Sequence, residues 1–250
     1  MSNNDQIIKL THALEKLKNK DAAIYFLTMD TKGHAKASVA LTYKIVKELR
    51  ENDYNAIIMH EKNDFHDVTT WMGDEYKDIP HVSIESKQVE VIISDLVIIP
   101  EVFGHVLEQT QEMPCEKVIF TQAYDYVLET LPPGLNWRNY GVGTCLTTSK
   151  IQVDYLTSLM GNLNYYEITP GIDDMFRKHE LPQPPLISIH TREPRDTMKI
   201  IKSFYLKYPQ FKWITFRDLR NLPTKKFAED LSESFVSIYN SCGNSSSNHF

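Results

Sequence analysis

The sequence contains few cysteines and no excess of basic residues. Its 250 residues include three cysteines, Cys115, Cys145 and Cys242. An odd number at such wide separations is typical of a reducing compartment and argues against a disulfide framework. The formal net charge is −6. Because no basic surplus is available to neutralise phosphates, the composition also argues against a general nucleic-acid binder.

The sequence also lacks a long apolar run. The longest one, residues 89–100, is interrupted by Glu90, Ser94 and Asp95 and is too short to span a bilayer. The first five residues show neither the basic region nor the apolar region of a secretion signal. With 42% hydrophobic and 24% charged residues, the composition is that of a globular protein. These features together predict a soluble cytoplasmic protein.

Several motifs that carry chemistry are absent. The sequence has no G-x-G-x-x-G after a predicted strand and no G-x-x-x-x-G-K-[ST], so the dinucleotide-binding fingerprint and the P-loop are both missing. C-x-x-C and G-x-S-x-G do not occur either, which argues against a zinc site and a serine hydrolase. D-x-D, the usual carboxylate pair for a metal-bound sugar nucleotide, is also absent. We therefore expect no metal cofactor.

What the sequence does contain is an alternation of strand and helix patterns. Buried-strand patterns occur at residues 24–30, 55–60, 94–100, 117–122 and 143–149. Helical patterns between and after them include residues 39–49, 102–109 and 152–160. Ser149 is placed to cap the last of these helices. Such alternation over about 150 residues predicts a doubly wound parallel sheet.

The alternation restarts after the proline-rich linker around Pro184. We expect strands at residues 186–190, 212–216 and 235–239, separated by helices at 197–208 and 224–231. Residues 240–250 are rich in serine and asparagine and predict a disordered tail. The domain organisation that follows is a first unit at 1–180, a second at 186–239 and the tail. The 235–239 strand would lack its usual neighbours, so we also expect self-association through this edge.

Residues 6–20 predict an amphipathic helix. Its apolar positions recur at three- and four-residue spacing, and its other face carries four lysines. Two interpretations are open: a weak peripheral contact with an anionic membrane, or a solvated face on a packed helix. The second is favoured because such helices are common in globular proteins.

The loop after the first strand is the first candidate site. In an open α/β sheet, ligands bind outside the carboxyl ends of the strands. Gly33 in this loop would let backbone amides approach a phosphate or a sugar, although a tight turn without a ligand explains it equally well. His34 beside it could act as a general base near pH 7. The alternative, a solvated histidine without a catalytic role, is the commoner case for a lone loop histidine.

The segment Ile168-Thr169-Pro170-Gly171-Ile172-Asp173, with Phe176, resembles the I-P-N-G-V-D…F segment that closes the first lobe of GT-B glycosyltransferases. Leu146-Thr147-Thr148-Ser149-Lys150 is similar to that family's V-x-V-S-E/K strand and helix start, and Gly33 to its first glycine loop. The likeness extends over about residues 22–239. It implies two Rossmann-like lobes around a cleft, with the acceptor on the first lobe and a UDP-, GDP- or similar nucleotide sugar on the second, without a metal.

The resemblance also implies site residues. Gly171 would lie at the cleft, and Arg192, Arg195 and Lys199, which follow the strand at 186–190, would hold the donor diphosphate. The family's acidic motif for the donor ribose and sugar should follow where the serine- and asparagine-rich tail begins, and it is absent. The expectation is a GT-B-like fold with an incomplete second lobe. Its function would be that of a glycosyltransferase, or of a descendant of such an enzyme whose activity is reduced or lost in this truncated chain. Two alternatives stay open: a non-catalytic sugar- or partner-binding module, and a GT-B-shaped nucleotide-sugar epimerase.

Overall fold

The computed structural model describes residues 22–86, 89–123, 126–161, 163–176, 185–191 and 193–240. They form two parallel β-sheets with helices between the strands. The strands are β1 (Ile24–Thr28), β2 (Ala56–His60), β3 (His81–Ser83), β4 (Leu96–Pro100), β5 (Glu116–Thr121), β6 (Thr144–Thr147), β7 (Asn164–Glu167), β8 (Leu186–Thr191), β9 (Thr215–Asp218) and β10 (Val236–Asn240). The helices are α1 (Ala37–Glu51), α2 (Thr69–Met72), α3 (Gly104–Gln109), α4 (Val127–Thr130), α5 (Lys150–Met160), α6 (Pro194–Lys207) and α7 (Thr224–Ser232).

The first sheet has seven parallel strands in the order β3-β2-β1-β4-β5-β6-β7. β1 lies at its centre, where Ile24 pairs with Ala56 of β2 on one side and with Leu96 of β4 on the other. All of its strand pairs are parallel, so each connection must cross over the sheet. Helices lie in every connection except the one from β3 to β4, where the described residues form none. This unit is a Rossmann-like α/β fold, and the predicted doubly wound sheet is confirmed to that extent.

Both faces of the first sheet are buried. Tyr25 and Leu27 of β1 pack into one hydrophobic cluster, and Ile24 and Phe26 pack into another. Because successive side chains point to opposite faces of a strand, this division places a core on each side of the sheet. The near-continuous apolar character of β1 follows directly, and it explains why the strand is recognisable in the sequence.

Local sequence signals set several helix ends. The Ser149 side chain accepts a hydrogen bond from the Gln152 amide, so the predicted cap of α5 is confirmed. α6 begins at Pro194, earlier than the predicted residue 197, because proline is well suited to the first position of a helix. The short helix α4 was not predicted, since four residues are too few to show a helical period.

The second sheet has three parallel strands in the order β10-β8-β9. The strand predicted at residues 212–216 is wrong in its start, because β9 runs from Thr215 to Asp218. A short 3₁₀ helix, Pro209–Phe211, follows α6, and the Ile214 amide donates to the Phe211 carbonyl oxygen over 3.0 Å. This turn keeps residues 212–214 out of the sheet, although Trp213 and Ile214 are apolar.

The two units touch through a few specific contacts. Helix α2 of the first unit contacts α7 of the second. The rings of Phe176 and Phe227 meet edge to face, with centroids 6.2 Å apart. Both contacts involve segments that follow the carboxyl ends of strands, so these segments of the two units lie side by side.

Three expectations fall outside the described residues: the helix at 6–20, the side chain of Arg192, and the tail beyond residue 240. Among the residues that the structure does describe, no helix combines the length and apolar character needed to cross a membrane.

Candidate functional site

The candidate site lies at the carboxyl edge of the first sheet, where the strand order reverses. β1 has β2 on one side and β4 on the other. The connection from β1 to β2 therefore runs towards one edge of the sheet, and the connection from β3 to β4 runs back towards the other edge. In an open α/β sheet, the loops diverge at such a point and leave a crevice that binds ligands. The loops that follow β1, β2 and β4 therefore define the candidate site.

The loop after β1 turns at Gly33. Its φ of +76° lies in the left-handed region that favours glycine, and the His34 amide closes the turn by donating to the Thr31 carbonyl oxygen over 3.0 Å. His34 itself is exposed. Its side chain makes no hydrogen bond or ion pair with the residues that the structure describes. The imidazole therefore has no partner there to orient it.

A second histidine, His66 in the loop after β2, is oriented by the Asp30 carboxylate in the loop after β1. Its Nδ1 lies 2.9 Å from Asp30 Oδ2, and its backbone amide donates to Asp30 Oδ1 over 3.0 Å. The Lys32 amide also donates to Asp30 Oδ1 over 3.1 Å. Partial burial opposes ionisation of Asp30, but the hydrogen bonds from His66 and Lys32 outweigh it and lower the pKa of this carboxyl.

The Asp30–His66 pair has the geometry of an oriented base. An ionised carboxylate accepts a hydrogen bond from Nδ1–H and so favours the tautomer in which Nε2 carries the free lone pair. The His66 side chain is 55% exposed, so Nε2 is open to a ligand. The pair can therefore accept a proton from a bound hydroxyl group, an action that an unoriented imidazole performs less effectively.

A stack of three rings fixes the loop that carries His66. Phe65 stacks on the face of a pair of histidine rings, with its centroid 3.9 Å from that of His60 at the end of β2 and 5.0 Å from that of His81 at the start of β3. His60 Nε2 and His81 Nδ1 are 3.0 Å apart and share a hydrogen bond. Burial, together with the charge of His81, lowers the pKa of His60 to about 4. Burial also lowers the pKa of His81, so both rings are neutral near pH 7.

A third histidine ties the loop after β2 to the helix after β4. His105 Nε2 lies 2.7 Å from Glu61 Oε1, and both side chains are about half exposed. Glu61 directly follows β2, and His105 lies in the first turn of α3. The contact therefore spans the loops on both sides of β1. It is a second imidazole–carboxylate pair at the same edge of the sheet.

The floor under these loops is a buried polar network. Glu101, which follows β4, accepts hydrogen bonds from the Gln122 amide over 3.1 Å and from the Ala123 amide over 2.8 Å. The Gln122 side chain donates to Thr42 of α1 over 3.2 Å, and the Gln152 side chain donates to the Gln122 carbonyl oxygen over 3.1 Å. Hydrogen bonds between buried polar groups hold a structure rigid, although the Gln122 Oε1 atom has no hydrogen-bond partner among the described residues. The network thus fixes the ends of β4 and β5 beside the crevice.

Gly171 lies elsewhere, in the segment that follows β7 at the far edge of the sheet. It is exposed, and no atom among the described residues lies within 4 Å of the place where its Cβ would be. Two residues later, Asp173 forms an ion pair with Lys44 of α1. The segment is therefore drawn back over the helix that begins at the candidate site. Among the predicted site residues that the structure describes, none lies within 4 Å of the place where a Gly171 Cβ would be.

Arg195 and Lys199 lie together on the second unit. They are one turn apart on α6, and both line an open, shallow depression of about 360 Å³ together with Pro194, Met198 and Lys202. Lys199 also pairs with Asp196 over 3.2 Å. The atoms that line the depression are apolar, so the charged ends of the three cationic side chains lie outside its lining. The Asp196 carboxylate also offsets part of their charge.

The structure groups the predicted site residues into three places. Gly33 and His34 are in the loop after β1, Gly171 follows β7, and Arg195 with Lys199 is on α6. His66 and Asp30 are not predictable from the sequence as a pair. A loop position after a strand was the one available signal for Asp30, and no spacing in the sequence connects it to a histidine 36 positions away.

No metal centre is apparent at these positions. The described part of the chain contains no group of three or more histidine, cysteine, aspartate or glutamate side chains placed to hold a metal ion. Comparisons with known proteins do not identify a family: the chain matches no protein-family model, and no curated protein matches it significantly.

Proposed function

We propose that this protein transfers a sugar from a nucleotide-sugar donor to a hydroxyl acceptor that binds at the carboxyl edge of the first sheet. The observation that carries the proposal is the Asp30–His66 pair, a carboxylate-oriented imidazole beside the point where the strand order reverses. Ligand crevices form at such points. An oriented base in the crevice suits a reaction that begins by removing a proton from a hydroxyl group.

The chemistry assigns one task to each part of the site. His66 Nε2 takes the proton of the acceptor hydroxyl group as its oxygen attacks the anomeric carbon of the donor. The new bond joins that carbon to the acceptor oxygen, and the bond to the phosphate oxygen breaks. The leaving nucleoside diphosphate takes the electron pair of the broken bond. Asp30 stabilises the imidazolium that forms on His66.

The donor side of the proposal rests on α6. A leaving diphosphate gains negative charge, and fixed cations stabilise it. Arg195 and Lys199 line the same depression, and Arg192, the third predicted cation, precedes α6 in the chain. In this proposal the two units correspond to the lobes of a GT-B glycosyltransferase, with the second lobe shortened to three strands, and no metal takes part.

Release of nucleoside diphosphate from a panel of UDP- and GDP-hexoses, measured with EDTA present, tests this function. Water can replace the unidentified acceptor, so donor hydrolysis serves as the readout. We expect His66→Asn to lower the rate about 10²–10⁴-fold, the usual contribution of a general base. The matched control is His34→Asn, which changes the exposed histidine at the end of the turn that contains Gly33. This variant should keep the rate within about twofold of wild type.

Three outcomes decide between the alternatives. Equal rates in wild type and His66→Asn, with loss in His34→Asn, would transfer the role of base to His34. Binding of the nucleotide sugars without turnover would identify a non-catalytic binding module. Recovery of an epimerised donor sugar in place of free sugar and nucleoside diphosphate would identify an epimerase.

A further inference from the structure

The segment from Lys202 to Trp213 carries an unusual combination of exposed side chains. Leu206 is 83% exposed and Trp213 is 53% exposed, and Tyr208 and Phe211 are also exposed. Lysines alternate with these apolar groups at three positions, residues 202, 207 and 212, and all three are exposed. We refer to Lys202, Leu206, Lys207, Tyr208, Phe211, Lys212 and Trp213 as the basic aromatic surface.

Contacts between its members show that this surface is continuous. Lys202 and Leu206 are one turn apart on α6. Lys207 Nζ lies over the Tyr208 ring, 5.4 Å from its centroid. The Tyr208 and Phe211 centroids are 6.3 Å apart, and those of Phe211 and Trp213 are 5.9 Å apart. The rings therefore form a row that continues from the end of α6.

The row is also anchored from below. Phe204 contacts Tyr208 on one side, with centroids 5.5 Å apart, and Phe216 of β9 on the other, with centroids 5.1 Å apart. A ring row that is fixed in this way needs little further ordering before it binds a partner. Exposed apolar groups that are held in place and not packed inside the fold mark an interaction surface.

The charge of this region differs from that of the whole chain. Residues 194–213 contain five basic side chains and one acidic side chain, whereas the chain has a net charge of −6. None of the three lysines of the basic aromatic surface pairs with a carboxylate among the described residues. A second copy of the chain would bring like charges together if it docked on the same surface. The charge therefore favours an anionic partner.

We propose that the basic aromatic surface docks on an anionic lipid bilayer. Tyrosine and tryptophan prefer the region of the headgroups, lysines are attracted to anionic headgroups, and an exposed leucine can insert among the acyl chains. Nucleic acid also attracts lysines and aromatic rings, but it offers no environment for Leu206. The bilayer is the partner that uses every member of the surface. Lys202 also lines the depression that we assign to the donor diphosphate, whereas the other six members of the surface have no role in the proposed sugar transfer.

Tryptophan fluorescence provides a direct test, because the sequence has three tryptophans and two of them are buried. Trp71 is 5% exposed and Trp137 is 1% exposed, so Trp213 dominates any response to a lipid surface. Vesicles of phosphatidylcholine with 30 mol% phosphatidylglycerol, a composition of roughly physiological charge density, should shift the emission to the blue. Pure phosphatidylcholine vesicles should not, and Trp213→Phe should remove the shift.

Cosedimentation with the same vesicles locates the binding surface. The triple variant Lys202→Glu, Lys207→Glu and Lys212→Glu should bind anionic vesicles at least tenfold more weakly, and so should Leu206→Ser. The matched control, Lys32→Glu, Lys62→Glu and Lys77→Glu, reverses the same number of exposed lysines and should bind within about twofold of wild type. Thermal melting of each variant verifies that it folds.

Three results would overturn the proposal. The first is an absence of blue shift and cosedimentation with the wild type. The second is equal loss of binding in the two triple variants, since net charge and not this surface would then control binding. The third is a wild type that does not bind vesicles but binds a DNA or RNA duplex saturably, with loss of duplex binding in the variant Lys202→Glu, Lys207→Glu and Lys212→Glu.

Discussion

At the scale of single residues, the neutral His60 ring has a consequence for acid stability. Burial and the charge of His81 lower its pKa from 6.5 to about 4, although nearby Asp30 opposes the shift. The folded state therefore binds this proton less readily than the unfolded chain does. The stabilisation of the folded state that results from this pKa difference is fully present above pH 6.5. It is lost as the pH falls from 6.5 towards 4, because the unfolded chain binds the proton first. The size of this stabilisation is on the order of 3 kcal/mol.

Urea unfolding at several pH values between 7.5 and 4 measures this effect. In His60→Asn, the free energy of unfolding should start lower at pH 7.5 and then fall less steeply than in the wild type, because the titrating ring is gone. His34→Asn is the control and should follow the wild-type slope. Parallel curves for His60→Asn and the wild type would show that His60 does not carry the acid dependence.

Single residues of the candidate site differ in whether they can be predicted from the sequence. His34 could be singled out because it follows Gly33 in the loop after a strand, and position along the chain is enough for that. His66 gains its carboxylate only when the loop after β2 folds onto the loop after β1. The stack of His60, Phe65 and His81 that holds it there joins two strands and a loop. Such pairings depend on the tertiary structure, and no local period announces them.

At the scale of elements, the turn after β1 should be sensitive to side chains at Gly33. We expect Gly33→Val to destabilise the fold by about 1–2 kcal/mol, because a β-branched residue is strained at a positive φ. Gly171→Val is the matched control: this exposed glycine has no positive φ and open space around it, so the change should stay within about 0.5 kcal/mol. Chemical denaturation measures both. Equal effects would contradict the assigned turn geometry.

Elements with a strong apolar pattern were predictable, and those set by turns were not. The central strands are buried on both faces, so their sequences are almost entirely apolar, and their positions follow from the sequence within a few residues. β9 begins three residues later than its pattern indicates, because the Pro209–Phe211 turn delays entry into the sheet. Of the two apolar residues directly ahead of it, Trp213 is exposed and Ile214 is half-buried. A pattern reports which residues are apolar, but not whether the chain buries them.

At the scale of the whole molecule, the small second sheet predicts association. Among the described residues, β9 and β10 each pair on one side only, and Phe235 and Val236 are 60% and 42% exposed. Unpaired strand edges with apolar side chains promote pairing between chains. Light scattering after size exclusion should therefore give a mass above the 29.0 kDa monomer as concentration rises. Val236→Lys should restore the monomer, whereas a monomeric wild type at its highest soluble concentration would contradict this.

The central claim, recognition of a nucleotide sugar through α6, is tested most directly by calorimetric titration of UDP and GDP into the chain in EDTA. We expect at least one of the two nucleotides to bind without a metal. Its dissociation constant should be on the order of millimolar, which corresponds to a binding free energy of about −4 kcal/mol. The double variant Arg195→Gln and Lys199→Gln should abolish this binding. The control double variant, Lys32→Gln and Lys62→Gln, neutralises two exposed lysines of the first unit and should keep it. The absence of heat with either nucleotide at millimolar concentration, or binding that survives the loss of Arg195 and Lys199, would contradict the account.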